Sequence, residues 1–150
     1  NYERSFMKIL IFGLPGSGKT TLAKPLAELM NGVHINADEV RKKYKDWDFT
    51  QEGRMRQAQR MRHLADGVVS AGKIAVADFI APTENARQEF DADYTVWMDT
   101  IKEGKYEDTN RMFQPPVKVN YHVAEWFTDT HNELAKVCKD FIHRNKNGTQ

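Results

Sequence analysis

Residues 13–20 read G-L-P-G-S-G-K-T, directly behind the apolar run K-I-L-I-F and directly ahead of T-L-A-K-P-L-A-E-L-M. Three glycines and one lysine thus stand where a buried strand would hand over to a helix. The spacing matches G-x-x-x-x-G-K-[ST], and the flanking strand and helix are the context this pattern needs. Gly13, Gly16 and Gly18 let the backbone curl through positive φ and bring amides close to an anion without side-chain obstruction. Those amides and the N-terminus of the next helix suit a β-phosphate. Lys19 is expected to reach the β- and γ-phosphates of ATP and to act in catalysis, with the Thr20 hydroxyl on Mg²⁺. Gly13, Gly16, Ser17, Gly18, Lys19, Thr20 and Thr21 are therefore the expected nucleotide-binding residues.

The rest of the chain alternates in the same way. Strand-like runs rich in Ile and Val lie at 8–12, 33–36, 73–79 and 94–98, and 117–123 alternates as a fifth. Helical stretches are expected at 19–30, 51–70, 82–90 and 129–143, with Pro25 bending the first. In the second, Met55, Ala58, Met61, Ala65 and Val68 recur at three- and four-residue steps and draw a core stripe. Strand-helix alternation implies parallel strands with right-handed crossovers. The expected fold is a three-layer α/β P-loop NTPase of the nucleoside-monophosphate-kinase type, with a central parallel sheet. At 150 residues the chain makes one domain, 1–150, with 1–6 read as an upstream or introduced extension before Met7. Residues 104–116 are the longest irregular piece and the expected mobile one.

A net charge of +1 excludes neither nucleic acid nor a small anion. It hides an asymmetry, because 41–63 is rich in Arg and Lys while 78–108 is rich in Asp and Glu. The first sector suits an anionic ligand. Cys138 is alone, so no intrachain disulfide forms and a reducing, cytoplasmic location is expected. No apolar stretch reaches membrane-span length, so no membrane partner is expected.

Past the second strand comes A-D-E-V-R, which puts Asp38 beside the phosphate loop and Arg41 one helical turn on. A carboxylate there accepts a proton from an attacking hydroxyl, and the arginine holds an anionic group. Asp38 is also a candidate N-cap for a helix starting at Glu39, a role compatible with catalysis.

G-L-P-G-S-G-K-T-T-L-A, I-N-A-D-E-V-R, D-F-T-Q-E-G-R and G-K-I-A-V-A-D-F-I-A-P together resemble the adenylylsulfate kinases, over roughly residues 8–90. That family typically reads G-L-S-G-S-G-K-S-T-L-A, D-G-D-N-V-R, G-F-S-x-x-x-R and F-I-S-P. The resemblance implies that Asp38 is the catalytic aspartate, and that Arg41 and Arg54 are substrate arginines. It implies that Phe49 stacks on the substrate adenine and that the Ile80 backbone lies against the substrate. Ala81 replaces the F-I-S-P serine, Gln57 stands where an asparagine is usual, and the basic lid is shortened to 100–116. Lys102, Lys105 and Arg111 remain as candidate clamps, with Arg111 assigned to the nucleotide. Asp78 follows the third strand where the family usually has no acid, and is a candidate for the Mg²⁺ site with Thr20.

I-N-x-D-x-x-R and an acid after the third strand also resemble polynucleotide 5′-kinases, which would make nucleic acid the partner. The expected activity is transfer of the γ-phosphoryl of ATP to a hydroxyl of a small nucleotide acceptor, adenylylsulfate first. The alternatives are a polynucleotide 5′-hydroxyl kinase and a nucleotide-binding ATPase module without an acceptor. His34 is expected to be packed rather than reactive, and no Cys/His spacing suggests zinc. Trp97, Trp126 and Phe127 are expected in the core or at a subunit contact, the basis for a possible homodimer.

Overall fold

All six residues of K-I-L-I-F-G are buried, as a strand covered on both faces requires. In the computed structural model, which describes residues 6–125 and 129–148 with side chains to 144, this strand is the centre of a five-stranded parallel sheet. The strands are β1 (Lys8–Gly13), β2 (Val33–Asn36), β3 (Ala75–Asp78), β4 (Tyr94–Met98) and β5 (Tyr121–Val123). Their order is β2-β3-β1-β4-β5. The helices among the described residues are α1 (Lys19–Leu29), α2 (Ala37–Tyr44), α3 (Gln51–Ser70), α4 (Glu84–Phe90), α5 (Glu107–Met112) and α6 (Thr130–Gly148).

The period of two along β1 sorts its side chains between two cores. Ile9 and Ile11 pack with Leu22 and Leu26 of α1 and with Leu134 and Cys138 of α6. Leu10 and Phe12 pack with Ala58, Met61 and Ala65 of α3 and with Phe90 of α4. The sandwich is therefore three layers, as expected. The α3 stripe is also as expected at its centre, while Val68 is only partly buried. Pro25 sits inside α1, which runs through it to Leu29.

Three expectations about local structure are corrected. The chain turns directly from β2 into α2, and Asn36 rather than Asp38 caps it, its side chain accepting from the Glu39 amide at 3.1 Å. That leaves the Asp38 carboxylate uncommitted to capping. The stretch 104–116 contains α5, six residues with no side-chain cap bond, Glu107 and Asp108 in its first turn and Arg111 in its last. The third strand begins at Ala75 and the fifth at Tyr121, later than their apolar patterns suggested. Trp126 and Phe127 lie outside the described residues.

One glycine fixes the loop between α2 and α3. A Cβ on Gly53 would stand 2.2 Å from the Asp48 carbonyl oxygen, so only glycine lets residues 46–50 fold tightly onto the first turn of α3. That turn begins at Thr50, whose hydroxyl accepts from the Gly53 amide at 3.2 Å. Phe49 and Arg54 are presented from this junction.

Candidate active site

The carboxyl ends of β1, β2 and β3 open on one side of the sheet, where ligands bind in such folds. The loop after β1 is built as its glycines require. Gly16 and Gly18 have φ of 88° and 95°, and Gly18 is the N-cap of α1. A Cβ on Gly13 would meet the Met98 carbonyl oxygen at 2.5 Å, so the loop is seated against the end of β4. Ser17 is buried beneath it, its hydroxyl without a partner among the described residues. Thr100 donates from its hydroxyl to the Ser17 carbonyl at 2.8 Å.

Lys19 reaches back across the loop, and its Nζ donates to the Leu14 carbonyl at 3.0 Å. Burial pushes its ammonium down to about 8, partly offset by the charges of Asp78 and Asp38. A desolvated cation beside a glycine loop is a site that an anion stabilises. Thr20 and Thr21 are exposed on the first turn of α1.

Asp78 ends β3 with only 4% of its side chain exposed. Its Oδ1 accepts from the Thr20 hydroxyl and from Asn36 Nδ2, both at 3.3 Å. Its Oδ2 meets His34 Nε2 from β2. His34 is thus not simply packed, and its role was invisible in sequence because the contact spans 44 positions. Among the described residues no three His, Cys, Asp or Glu side chains gather to hold a metal by themselves. One carboxylate oxygen beside one hydroxyl fits Mg²⁺, which takes few protein ligands and shares substrate phosphates.

Asp38 lies exposed in the first turn of α2. Its charge is felt by both Lys19 and Arg41, so it stands between the loop and the next cluster. In that cluster Arg41 is 4% exposed and Arg54 7%. Arg41 Nη1 donates to the Asp46 and Asp48 carbonyls at 3.0 and 3.1 Å. Arg54 Nε donates to the Phe49 carbonyl at 3.0 Å. Both guanidiniums lie on Phe49, 4.3 and 5.3 Å from its ring centroid, while 47% of that residue stays exposed. Burial lowers the pKa of both arginines, and for Arg54 the charge of Arg41 adds to it. Among the described residues Arg54 has no carboxylate within ion-pair distance, so an incoming anion would relieve this repulsion. A cavity of about 360 Å³ opens beside it, lined by Thr50, Gln51 and Met55 of the α3 start, by Thr83 and Asn85, and by Met112.

The basic sector read from the sequence is compensated in part, along α3, while Lys42, Lys43 and Lys45 on and after α2 are exposed. Arg60 and Arg56 pair with Asp46, and Arg56 also with Asp48 at 2.7 Å. The hydrogen bond from Arg60 holds the Asp46 carboxyl well below the usual range. Ile80 stands half-buried after β3, next to Ala81, whose φ of 42° is unusual for a side chain with a Cβ. Arg111 is exposed on α5 and pairs with Asp108 at 2.9 Å, so it is not gathered at the loop. Lys102 and Lys105 are exposed as well.

A family model described as Adenylylsulphate kinase matches residues 5–102. The chain is 34% identical over 85 residues to a probable adenylyl-sulfate kinase of Aeropyrum pernix, a stretch covering 53% of this chain and 46% of that one. It spans about half the length, or less, of most curated relatives it matches. An APS kinase of Mycobacterium tuberculosis, solved in complex with AMPPNP and APS, superposes with a TM-score of 0.71 at 17% identity. The superposition covers 95% of this chain and 99% of that one. A gluconokinase from Sinorhizobium meliloti gives 0.70 at 13% identity, over 99% and 100%. These structures establish a shared fold. Among the described residues no helix is long and apolar enough to cross a membrane.

Proposed function

Because the chain belongs to the adenylylsulphate kinase family, we propose that it transfers the γ-phosphoryl group of ATP to a hydroxyl of a nucleotide-like acceptor, adenylylsulfate being the best fit. The observation that carries this reading is the line of groups from Lys19 through Asp38 to Arg41, Phe49 and Arg54. These groups would serve as a phosphate-gripping cation, an exposed carboxylate and an anion-plus-base pocket, and they are linked by the charge of Asp38 on both Lys19 and Arg41 and by the two arginines on Phe49.

Phosphoryl transfer has a loose transition state, so positioning and charge neutralisation do most of the work. The loop amides of residues 13–18 and Lys19 would hold the β- and γ-phosphates. Mg²⁺, held by Thr20 and Asp78, would neutralise charge on the phosphates when bound. Asp38 would orient the acceptor hydroxyl and take its proton as the new bond forms. Arg41 and Arg54 would hold the acceptor's anionic groups, and Phe49 would offer its exposed ring to the base. The Ile80 backbone would line the same pocket. Arg111, Lys102 or Lys105 would close over the nucleotide only if the covering segment moves.

A polynucleotide acceptor needs free cations along the α3 face, and Arg56 and Arg60 are already paired there. That favours a small acceptor. A cytoplasmic location is proposed on the single, buried thiol of Cys138. The homodimer proposal rests on Trp126 and Phe127 and is tested by solution mass. The deciding experiment for the acceptor is a radiolabelled-ATP screen over adenylylsulfate, nucleosides, sugars, and 5′-hydroxyl DNA and RNA. Label in adenylylsulfate is expected. Label only in 5′-hydroxyl polynucleotide would overturn the acceptor assignment.

A further inference from the structure

We propose that His34 is a positioning residue for Asp78, holding one carboxylate oxygen so that the other faces Thr20 and the metal. This rests on reading Thr20 and Asp78 as the magnesium site. The parallel register pairs Asn36 with Asp78 and His34 with Val76. Residues two apart on a strand share a face, so His34 and Asn36 present their side chains on the face that carries Asp78.

The two oxygens of Asp78 are held differently. Asn36 Nδ2 reaches both, at 3.3 Å from Oδ1 and 3.4 Å from Oδ2, whereas His34 Nε2 meets Oδ2 and the Thr20 hydroxyl donates to Oδ1. A carboxylate only accepts, so the imidazole nitrogen that faces it carries the proton. Among the described residues His34 brings the one ring nitrogen that meets this buried acid, while Lys19 acts on it from farther away. Rotating the carboxylate plane would break the imidazole contact and turn Oδ1 away from Thr20. Such outer contacts to a metal-ligating group typically govern ~10- to 100-fold of metal affinity. His34 is itself partly open to solvent, 19% by side chain, so it can be replaced without leaving a sealed cavity.

The test measures Mn²⁺ binding to the whole chain by electron paramagnetic resonance, with a non-hydrolysable ATP analogue present. Nucleotide affinity in EDTA is measured alongside. His34→Leu should weaken Mn²⁺ binding about tenfold or more and leave metal-free nucleotide affinity within about twofold. His34→Gln, which keeps a donor, should restore most of the loss. Added to Asp78→Asn, His34→Leu should cost little further, because it acts through that carboxylate. Unchanged Mn²⁺ binding in His34→Leu would overturn the proposal, as would an equal loss of metal-free nucleotide. If His34→Leu does not fold, a His34→Gln protein that binds Mn²⁺ about tenfold or more weakly than wild type overturns it too. None of these readings needs an acceptor, so a wrong acceptor assignment would leave them standing. A wild-type protein that takes up no Mn²⁺ with the nucleotide would instead remove the metal site on which the proposal rests.

Discussion

Arg54 on α3 donates from Nη2 to the Thr109 hydroxyl on α5 at 2.6 Å, and both residues are buried. The segment carrying Thr109 also touches the phosphate loop, through Thr100 on the Ser17 carbonyl and Gly104 beside Pro15. Asn110 braces it internally, exchanging two hydrogen bonds with Gly104 at 2.7 and 3.0 Å. One stretch of chain therefore links the two halves of the site. Thr109→Val keeps the shape but leaves a buried guanidinium donor unpaired, a loss of about 1–3 kcal/mol. The expected result is a raised acceptor KM with faster ATP hydrolysis in the absence of acceptor, since a loosened cover admits water. Initial rates with and without acceptor check it, and unchanged values in both would refute it.

Phe49→Ala tests the base pocket. Loss of a stack costs about 1–3 kcal/mol, so acceptor KM should rise roughly tenfold or more while nucleotide KM stays put. The same kinetics run across salt concentration separate the acceptor classes. A small dianion gives a shallow dependence, whereas a polynucleotide releases many counterions and gives a steep one.

Lys19 is expected to make nucleotide binding pH-dependent. Its folded-state pKa of about 8 lies below the ordinary 10.5. Between those values the unfolded chain binds more protons, so this group lets stability of the free protein rise with pH. Phosphates favour the charged form and reverse the shift. ATP binding should therefore take up a proton above about pH 8 and weaken as pH rises further. Calorimetry at pH 9 in two buffers of different ionisation enthalpy should show that uptake, and the same measurement near pH 6.5 should not. Lys19→Ala should abolish it and lower turnover at least ~10²-fold.

Lys45 ends α2 in the left-handed region, with φ 53° and ψ 43°, and its side chain is exposed. An L-residue pays about 1–2 kcal/mol there, offset in part by the chain entropy that glycine would lose. Lys45→Gly should stabilise the fold by about 1 kcal/mol, raising Tm by about 2–4 °C. A thermal melt that shifts downward would show the side chain making a contact in its own right.

The legibility of this chain tracks the sequence distance over which each feature is determined. The phosphate loop was readable because three glycines, a lysine and two threonines act within nine residues of one another. The α3 stripe was readable because a helix repeats its own pattern, and Phe49 and Arg54 could be singled out as candidates because their neighbours carried a family spacing. Asp78 was noticed as an acid out of place, yet its partners His34 and Asn36 belong to β2 and depend on the β2–β3 register. The Arg54–Thr109 bond spans 55 positions and lands on a helix too short to announce itself. Arg41 and Arg54 were expected only as ligand groups, but each also ties its own loop together through backbone carbonyls.

Asn36 both caps α2 and donates to Asp78, and it stands where the related kinases read the first aspartate of D-G-D. An aspartate there would keep the cap but set two carboxylates about 3.3 Å apart, by the present Asn36–Asp78 spacing. One of them would then have to stay protonated. An acid on the second strand and an acid on the third therefore compete for one negative charge at this spacing. An aspartate at position 36 is therefore expected among relatives of this chain chiefly where position 78 is not an acid.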